Sequence, residues 1–323
     1  MSICDDVLRK ISKQTAYSAG RRDLISCYLG KDCNMTLKDK KFIPYYIAGG
    51  VLVLIAVLCV VIISASPKNE PEETTEPEST TLFMNGEVPY YEDVAASAYD
   101  KEDFTMTDEG RIVYSNASVR YTTGIDVSSH QGTIDWEKVA ADGIEFAIIR
   151  IGYRGYGAAG NICEDEYSEE NIKNASAAGL KVGVYFYSQA VNTDEALEEA
   201  EFVLDIIENY DIEYPVVFDW ENEPDIAMRT DTVTGDELTD CAVSFCNAVK
   251  TAGYTPAIYL NLNNAYNQYD LSKIKQYCIW YAQHEGEQPE MYYSYTIWQY
   301  SDTGTVDGIS GNVDLNISFS DFA

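Results

Sequence analysis

The sequence predicts an α/β protein: an irregular eight-stranded barrel, preceded by a single transmembrane helix and a disordered stem. Three observations predict it. From about residue 121, short strand-like runs alternate with helix-like runs, the pattern of a parallel sheet covered by helices. The last three strand-like runs have no helix between them, which suggests a closed barrel with an irregular final third. Residues 47–65, IAGGVLVLIAVLCVVIISA, carry no charge. Nineteen residues at about 1.5 Å each cross a hydrocarbon core of about 30 Å.

Residues 1–44 are read as a solvated cytoplasmic tail. Residues 45–66 are read as an uncleaved signal anchor, because the apolar run starts about forty residues in and exceeds the core of a cleaved signal peptide. Arg21, Arg22, Lys31, Lys38, Lys40 and Lys41 precede the run, and only Lys68 closely follows it. The excess of bases places the N-terminus in the cytoplasm and the C-terminus outside, in a single-pass protein of the cell membrane.

Residues 67–118 form an acidic, flexible stem. PKNEPEETTEPESTT has almost nothing to bury and is expected to stay disordered. The later VPYYEDVAASAYDKEDF carries aromatics and is expected to be partly ordered. Of 22 Lys/Arg and 53 Asp/Glu, nine and five lie in residues 1–66, leaving 13 bases against 48 acids beyond them. Such a field repels a phosphate backbone, so nucleic acid is excluded as a partner.

Residues 119–323 hold the barrel. GIDVSS is the first strand, and DWEKVAADG the first helix with Asp135 as N-cap. FAIIRIGY is a strand and YSEENIKNASAAG a helix closed by Gly179. KVGVYFYSQ is followed by NTDEALEEAEFVLDIIENY, where Asn192 and Glu195 have capping-box spacing. PVVFDWE is followed by TGDELTDCAVSFCNAVKTAG, with Thr234 and Glu237 spaced likewise. PAIYLN precedes the mostly helical NNAYNQYDLSKIKQY. CIWYAQ, YTIWQYS and VDLNIS complete the set. Cys163, Cys241, Cys246 and Cys278 lie in this region; no spacing among them suits zinc. Mostly buried free thiols are expected, with one disulfide left open.

In βα barrels chemistry gathers at the carboxyl ends of the strands. Those ends supply Asp126, Asp219, Glu221 and Asp314, with Tyr153, Tyr187, Tyr259, Trp280 and Gln299 nearby. Residues two apart on a strand share a face, so Asp219 and Glu221 point the same way. Like charges so close cannot both ionise freely, and one pKa rises. A protonated carboxyl beside an ionised one is what glycosidic cleavage needs. Sugar rings also stack on aromatic faces.

GIDVSSHQGTIDW, KVGVYFY, PVVFDWE, AIYLN, IWYAQ, IWQYS and GISGNVDLN, in that order, resemble the successive motifs of glycoside hydrolase family 25, the Chalaropsis-type lysozymes. The resemblance spans about residues 122–320. It implies an irregular (β/α)5β3 TIM-like barrel that cuts the β-1,4 bond between N-acetylmuramic acid and N-acetylglucosamine in peptidoglycan glycan strands. By motif, Glu221 resembles the general acid/base and Asp219 the group that orients the 2-acetamido group. Asp126 and Asp314 resemble supporting carboxylates. Tyr153, Tyr185, Tyr187, Tyr259, Trp280 and Gln299 are the implied substrate contacts. The resemblance implies retention, with the acetamido oxygen as internal nucleophile; an aspartate such as Asp126 as nucleophile or base is the alternative. Phe186 stands where many relatives carry His, a departure at an implied subsite contact. No cofactor or metal is expected.

Other patterns carry less. GYGAAG, Gly155 to Gly160, has nucleotide-loop spacing, but no helix starts there and no acid ends the next strand. His130 with Ser128 or Ser129 lacks a nucleophile elbow and reads as a loop contact. EDEYSEE lacks calcium-loop spacing and reads as a solvated helix start. A wall-binding module without catalysis and a glycosidase of another N-acetylated polymer are the rival functions.

Overall fold

The computed structural model describes residues 79–83, 86–222 and 227–322. They lie in a compact unit running from Thr75 to Ala323. The predicted tail, the transmembrane helix and the first part of the stem fall outside the described residues. Among the described residues no helix is long and apolar enough to cross a membrane.

Eight strands close a barrel: β5 (Thr122–Val127), β6 (Phe146–Arg154), β8 (Lys181–Ser188), β9 (Val216–Trp220), β10 (Pro256–Asn261), β11 (Cys278–Ala282), β12 (Ile297–Gly304) and β13 (Val313–Ser318). Neighbours from β5 through β12 pair in parallel, and β5 pairs with β6 to begin the ring. The closing strand β13 runs antiparallel to both β12 and β5. This reversal corrects one expectation. Asp314 sits at the amino end of its strand, not the carboxyl end, and reaches the same mouth because the strand is inverted. β7 (Ile162–Glu164) folds back on the upper part of β6. GYGAAG forms the turn between them.

Helices α1 (Trp136–Ala141), α2 (Ser168–Ala177), α3 (Thr193–Ile207), α4 (Gly235–Thr251), and the short α5 (Leu262–Asn267) and α6 (Leu271–Ile274) follow the first five barrel strands in turn. α3 buries Ala196, Ala200, Val203 and Ile207, one stripe at helical spacing. Asn192 caps α3 by accepting from the Glu195 amide, but the Glu195 side chain bonds the Val191 amide and Arg229 instead of closing the box. The box of Thr234 and Glu237 on α4 is complete. Cys163, Cys241, Cys246 and Cys278 are all free thiols; Cys241 and Cys246 are fully buried.

Strand alternation makes two cores. The outward faces of the strands pack against the helices. Phe186 belongs here, edge-on to Phe202 of α3, so it faces away from the barrel interior rather than into the mouth, where a subsite contact was expected. The inward faces put Phe146, Ile148, Val217, Ala257 and Ile297 together inside the barrel. Gly124 gives Phe146 its room: a Cβ there would lie 2.3 Å from the ring.

Where the barrel lacks helices, another segment covers it. Residues 89–118, assigned to the stem by sequence, are ordered against β12, β13 and the loop before β12. β3 (Phe104–Met106) and β4 (Ile112–Tyr114) form a small hairpin. Phe104 packs edge-on against Trp298, and Tyr99 stacks on Phe319 at 4.0 Å between centroids. The Ser97 amide donates to the Tyr292 carbonyl at 2.7 Å, and the Ser294 amide to that of Ala95 at 2.9 Å. Phe104, Ile112 and Tyr114 are buried. The ordered barrel unit therefore begins well before residue 119. A further hairpin, β1 (Ser79–Phe83) with β2 (Gly86–Pro89), precedes this strap.

Candidate active site

The inward side chains of the upper barrel are polar, unlike those of its floor. Asp126 lies one residue before the end of β5 and stands opposite Asp314 in the antiparallel register with β13. Asp219 is the inward residue near the end of β9, paired with Tyr187 on one side and Tyr259 on the other. Trp220 points outward into the helix layer, and Glu221 follows directly, half-buried at the rim. The charge of Glu221 acts on Asp219, Asp126, Tyr187 and Tyr259, so the four predicted carboxylates share one electrostatic site.

Asp126 is the best-solvated by protein. Its Oδ2 accepts from Gln299 Nε2 at 2.8 Å and from Asn316 Nδ2 at 2.7 Å. Burial still pushes its carboxyl up to about 6, against the pull of those donors. Asp314 rises further, to about 8, through burial and the adjacent negative Asp126, to which it hydrogen-bonds. The two carboxyls titrate as a pair, each raised by burial and Asp314 raised further by the charge of Asp126.

Asp219 is 4% exposed, and its pKa is raised well above the usual carboxylate range by burial, then by Glu221 and Asp126. Arg150 offsets part of this. Its guanidinium is itself held by Asp165 at 2.8 Å and by Ser129 Oγ at 3.2 Å, and lies over the Tyr153 ring. Asp219 Oδ1 is buried with no hydrogen-bond partner among the described residues. A buried carboxyl oxygen without a donor is costly, by about 1–3 kcal/mol, and such an atom marks where a ligand donor fits.

The predicted aromatic contacts divide by depth. Tyr153, 37% exposed, and Tyr187 line the rim. A register shift in β6 between Arg150 and Gly152 lets both Arg150 and Tyr153 face the site despite their odd spacing. Tyr185, Tyr259, Trp280 and Gln299 lie beneath, all buried. Trp280 meets Tyr259 edge-on at 4.9 Å and donates its indole N–H to Asn316 Oδ1 at 2.8 Å. Tyr259 donates to Gln299 Oε1 at 2.9 Å. Gln299 bonds the acids directly, while Tyr259 and Trp280 hold Gln299 and Asn316, the two residues that donate to Asp126.

Sequence reasoning missed five polar participants. Arg150 and Asn316 hold or tune the acids directly, and His284 contacts Gln299 at 2.7 Å. Tyr156, 39% exposed, meets Tyr187 edge-on and extends the aromatic rim. Arg229 ties the segment after Glu221 to this rim: its amide donates to the Tyr156 carbonyl, and its guanidinium grips Glu195 at 2.7 and 2.8 Å. Asn316 was findable, since it lies two residues from Asp314 on the same strand face.

The profile of Glycosyl hydrolases family 25 matches residues 125–309. The autolytic lysozyme of Clostridium acetobutylicum is 28% identical over 193 residues, covering 60% of this chain and 54% of that protein. The chain thus spans about half the length of that relative. Among solved structures, the modular autolysin LytC of Streptococcus pneumoniae, in complex with a synthetic peptidoglycan ligand, superposes with a TM-score of 0.55 at 26% identity, over 69% of this chain and 52% of that one. The bacterial lysozyme of Streptomyces coelicolor gives 0.50 at 26% identity, over 60% and 90%.

Proposed function

The chain belongs to glycosyl hydrolases family 25, and on that footing we propose that its barrel is a muramidase. It would hydrolyse the β-1,4 bond between N-acetylmuramic acid and N-acetylglucosamine in peptidoglycan, with retention. The observation that supports this most is Asp219 Oδ1, a buried acceptor without a partner among the described residues, next to Glu221. An acetamido N–H is a donor of the right kind for it.

The steps follow from the groups present. Asp219 accepts the N–H of the 2-acetamido group and aims its carbonyl oxygen at C1. That oxygen forms a bond to C1 as the C1–O bond to the leaving sugar breaks, and Glu221 gives its proton to the departing oxygen. Water then attacks C1 from the vacated side, Glu221 takes the water's proton, and the acetamido oxygen leaves. Two inversions give retention. Burial first, then the charges of Glu221 and Asp126, keep Asp219 raised. Tyr153 and Tyr187 offer sugar-stacking faces at the rim.

Glu221→Gln tests the assignment on purified peptidoglycan. General acid–base groups contribute about 10²–10⁴-fold, so the variant should release reducing ends at least about 100-fold more slowly. Mass spectrometry should find reducing N-acetylmuramic acid in the wild-type product. Equal rates would remove Glu221 from the chemistry. No release by wild type would point to a wall-binding clamp, and other reducing ends to a different N-acetylated polymer.

The uncharged run at residues 47–65 and the base-rich segment before it support a single-pass anchor with the barrel outside. Anchoring would confine cutting to wall close to the membrane, for local remodelling. Recovery in the membrane fraction supports this reading, and recovery only from the medium sinks it.

A further inference from the structure

We infer that His284 is a positioning residue: as an Nε2–H donor it fixes the Gln299 amide with its NH2 group turned toward Asp126 and Asp314. Its kinetic consequence rests on the proposed muramidase reading, and its structural content does not.

An indole N–H only donates. Trp280 therefore requires Asn316 to present Oδ1 to it, which turns Asn316 Nδ2 toward Asp126 Oδ2 at 2.7 Å. The same oxygen receives Gln299 Nε2 at 2.8 Å, and Asp314 Oδ2 lies 3.4 Å from that nitrogen. Turned over, Gln299 would press its oxygen on a carboxylate oxygen and take a donor from Asp126. With Nε2 toward the acids, Oε1 must face Tyr259 OH at 2.9 Å and His284 Nε2 at 2.7 Å. An amide oxygen only accepts, so both neighbours donate.

The two neighbours are not equivalent. A hydroxyl donates or accepts by rotating, so Tyr259 would tolerate either orientation of the amide. An imidazole with hydrogen on Nε2 cannot accept there, and it would clash with a turned NH2 group. His284 discriminates between the two orientations in its Nε2–H tautomer, the one that the accept-only Oε1 selects. Its other nitrogen, Nδ1, is 3.6 Å from Asp302 Oδ2, an ion-pair distance too long for a hydrogen bond. The charged groups facing the ring are Asp302 of β12 and Asp314 of β13, with Asp126 behind Gln299 and Glu285 and Glu287 on the loop of His284 itself. The ring is 33% exposed and the Asp302 side chain 57%, so the lock lies at the solvent boundary.

Nitrogen-15 NMR of the full chain tests the lock without any substrate. Neutral His284 should be the Nε2–H tautomer, and the Nδ1–H tautomer would overturn the inference. His284→Phe keeps a ring without a donor, and His284→Gln restores one. In His284→Phe the carboxyl carbons of Asp126 and Asp314 should titrate differently from wild type, and kcat should fall about tenfold, the scale of one hydrogen bond lost at about 1.4 kcal/mol, with KM little changed. His284→Gln should recover most of both. Unchanged carboxyl titrations in His284→Phe would also overturn it. If the wild type cleaves no glycan, the muramidase reading fails while the tautomer and the carboxyl titrations still decide this one. If His284→Phe fails to fold, the wild-type tautomer alone decides.

Discussion

Asp126 and Asp314 show how one residue's chemistry depends on a strand's direction. They are cross-strand partners because β13 runs against β5. Burial raises both, and the second proton is harder to remove while the first carboxylate is charged. If catalysis uses Asp126 ionised and Asp314 protonated, kcat/KM should rise as pH passes about 6 and fall as it passes about 8. Asp314→Asn should abolish the alkaline limb and keep the acid one; an unaltered alkaline limb in a pH–rate series would assign it elsewhere. The four acids were legible as polar residues interrupting apolar strands at their ends. His284 and Arg150 were not, because their roles come from which neighbours the barrel closure brings, and closure is not written in any local pattern. Trp280 looked like a sugar platform for the same reason: an aromatic near a strand end has no sequence mark distinguishing rim from support.

At the scale of elements, the alternation of strands and capped helices was legible because periodicity and caps are local. The strap was not. Tyr99 and Phe104 stand apart among polar residues, and Ile112 and Tyr114 share a face of a strand only three residues long. Their order comes from a demand set elsewhere: Trp298 and Tyr300 of β12 face outward with no helix over them. A fragment starting at residue 119 should therefore expose this face and aggregate, or melt far below one starting at residue 86. Phe104→Ala in the longer chain should cost about 3–5 kcal/mol, as for other buried Phe truncations. Circular-dichroism melts of the three proteins check this, and equal melting temperatures would make the strap an ornament.

For the molecule as a whole, acidity and burial act in the same direction. Asp126, Asp314 and Glu199, a fully buried residue of α3 paired with Arg154, are raised to about 6, about 8 and about 7, all above ordinary carboxyls. Each raised group binds its proton more tightly in the folded state than in the unfolded one. Its stabilising contribution is full below the unfolded value and is lost as pH rises through the folded one. Repulsion among the 48 acids beyond residue 66, against 13 bases, adds to the same trend. The melting temperature should thus fall from about pH 5 to about pH 8, and added salt should recover the part due to repulsion. Calorimetry across that range checks the sign; a rise toward pH 8 would mean that these acids are not held protonated in the fold.

The strap also sets how the domain would bear force. Whatever chain precedes it, a pull from the N-terminal side reaches the strap before it reaches β5. The strap is held at one edge by few backbone bonds, among them Ser97 to Tyr292 and Ser294 to Ala95. β5 is held by ladders on both flanks, to β6 and to β13. Extension would then proceed in two stages, the strap peeling first while the ring of strands and its carboxylates stay shut. The segment that completes the core would thus yield before the ring of strands that it covers.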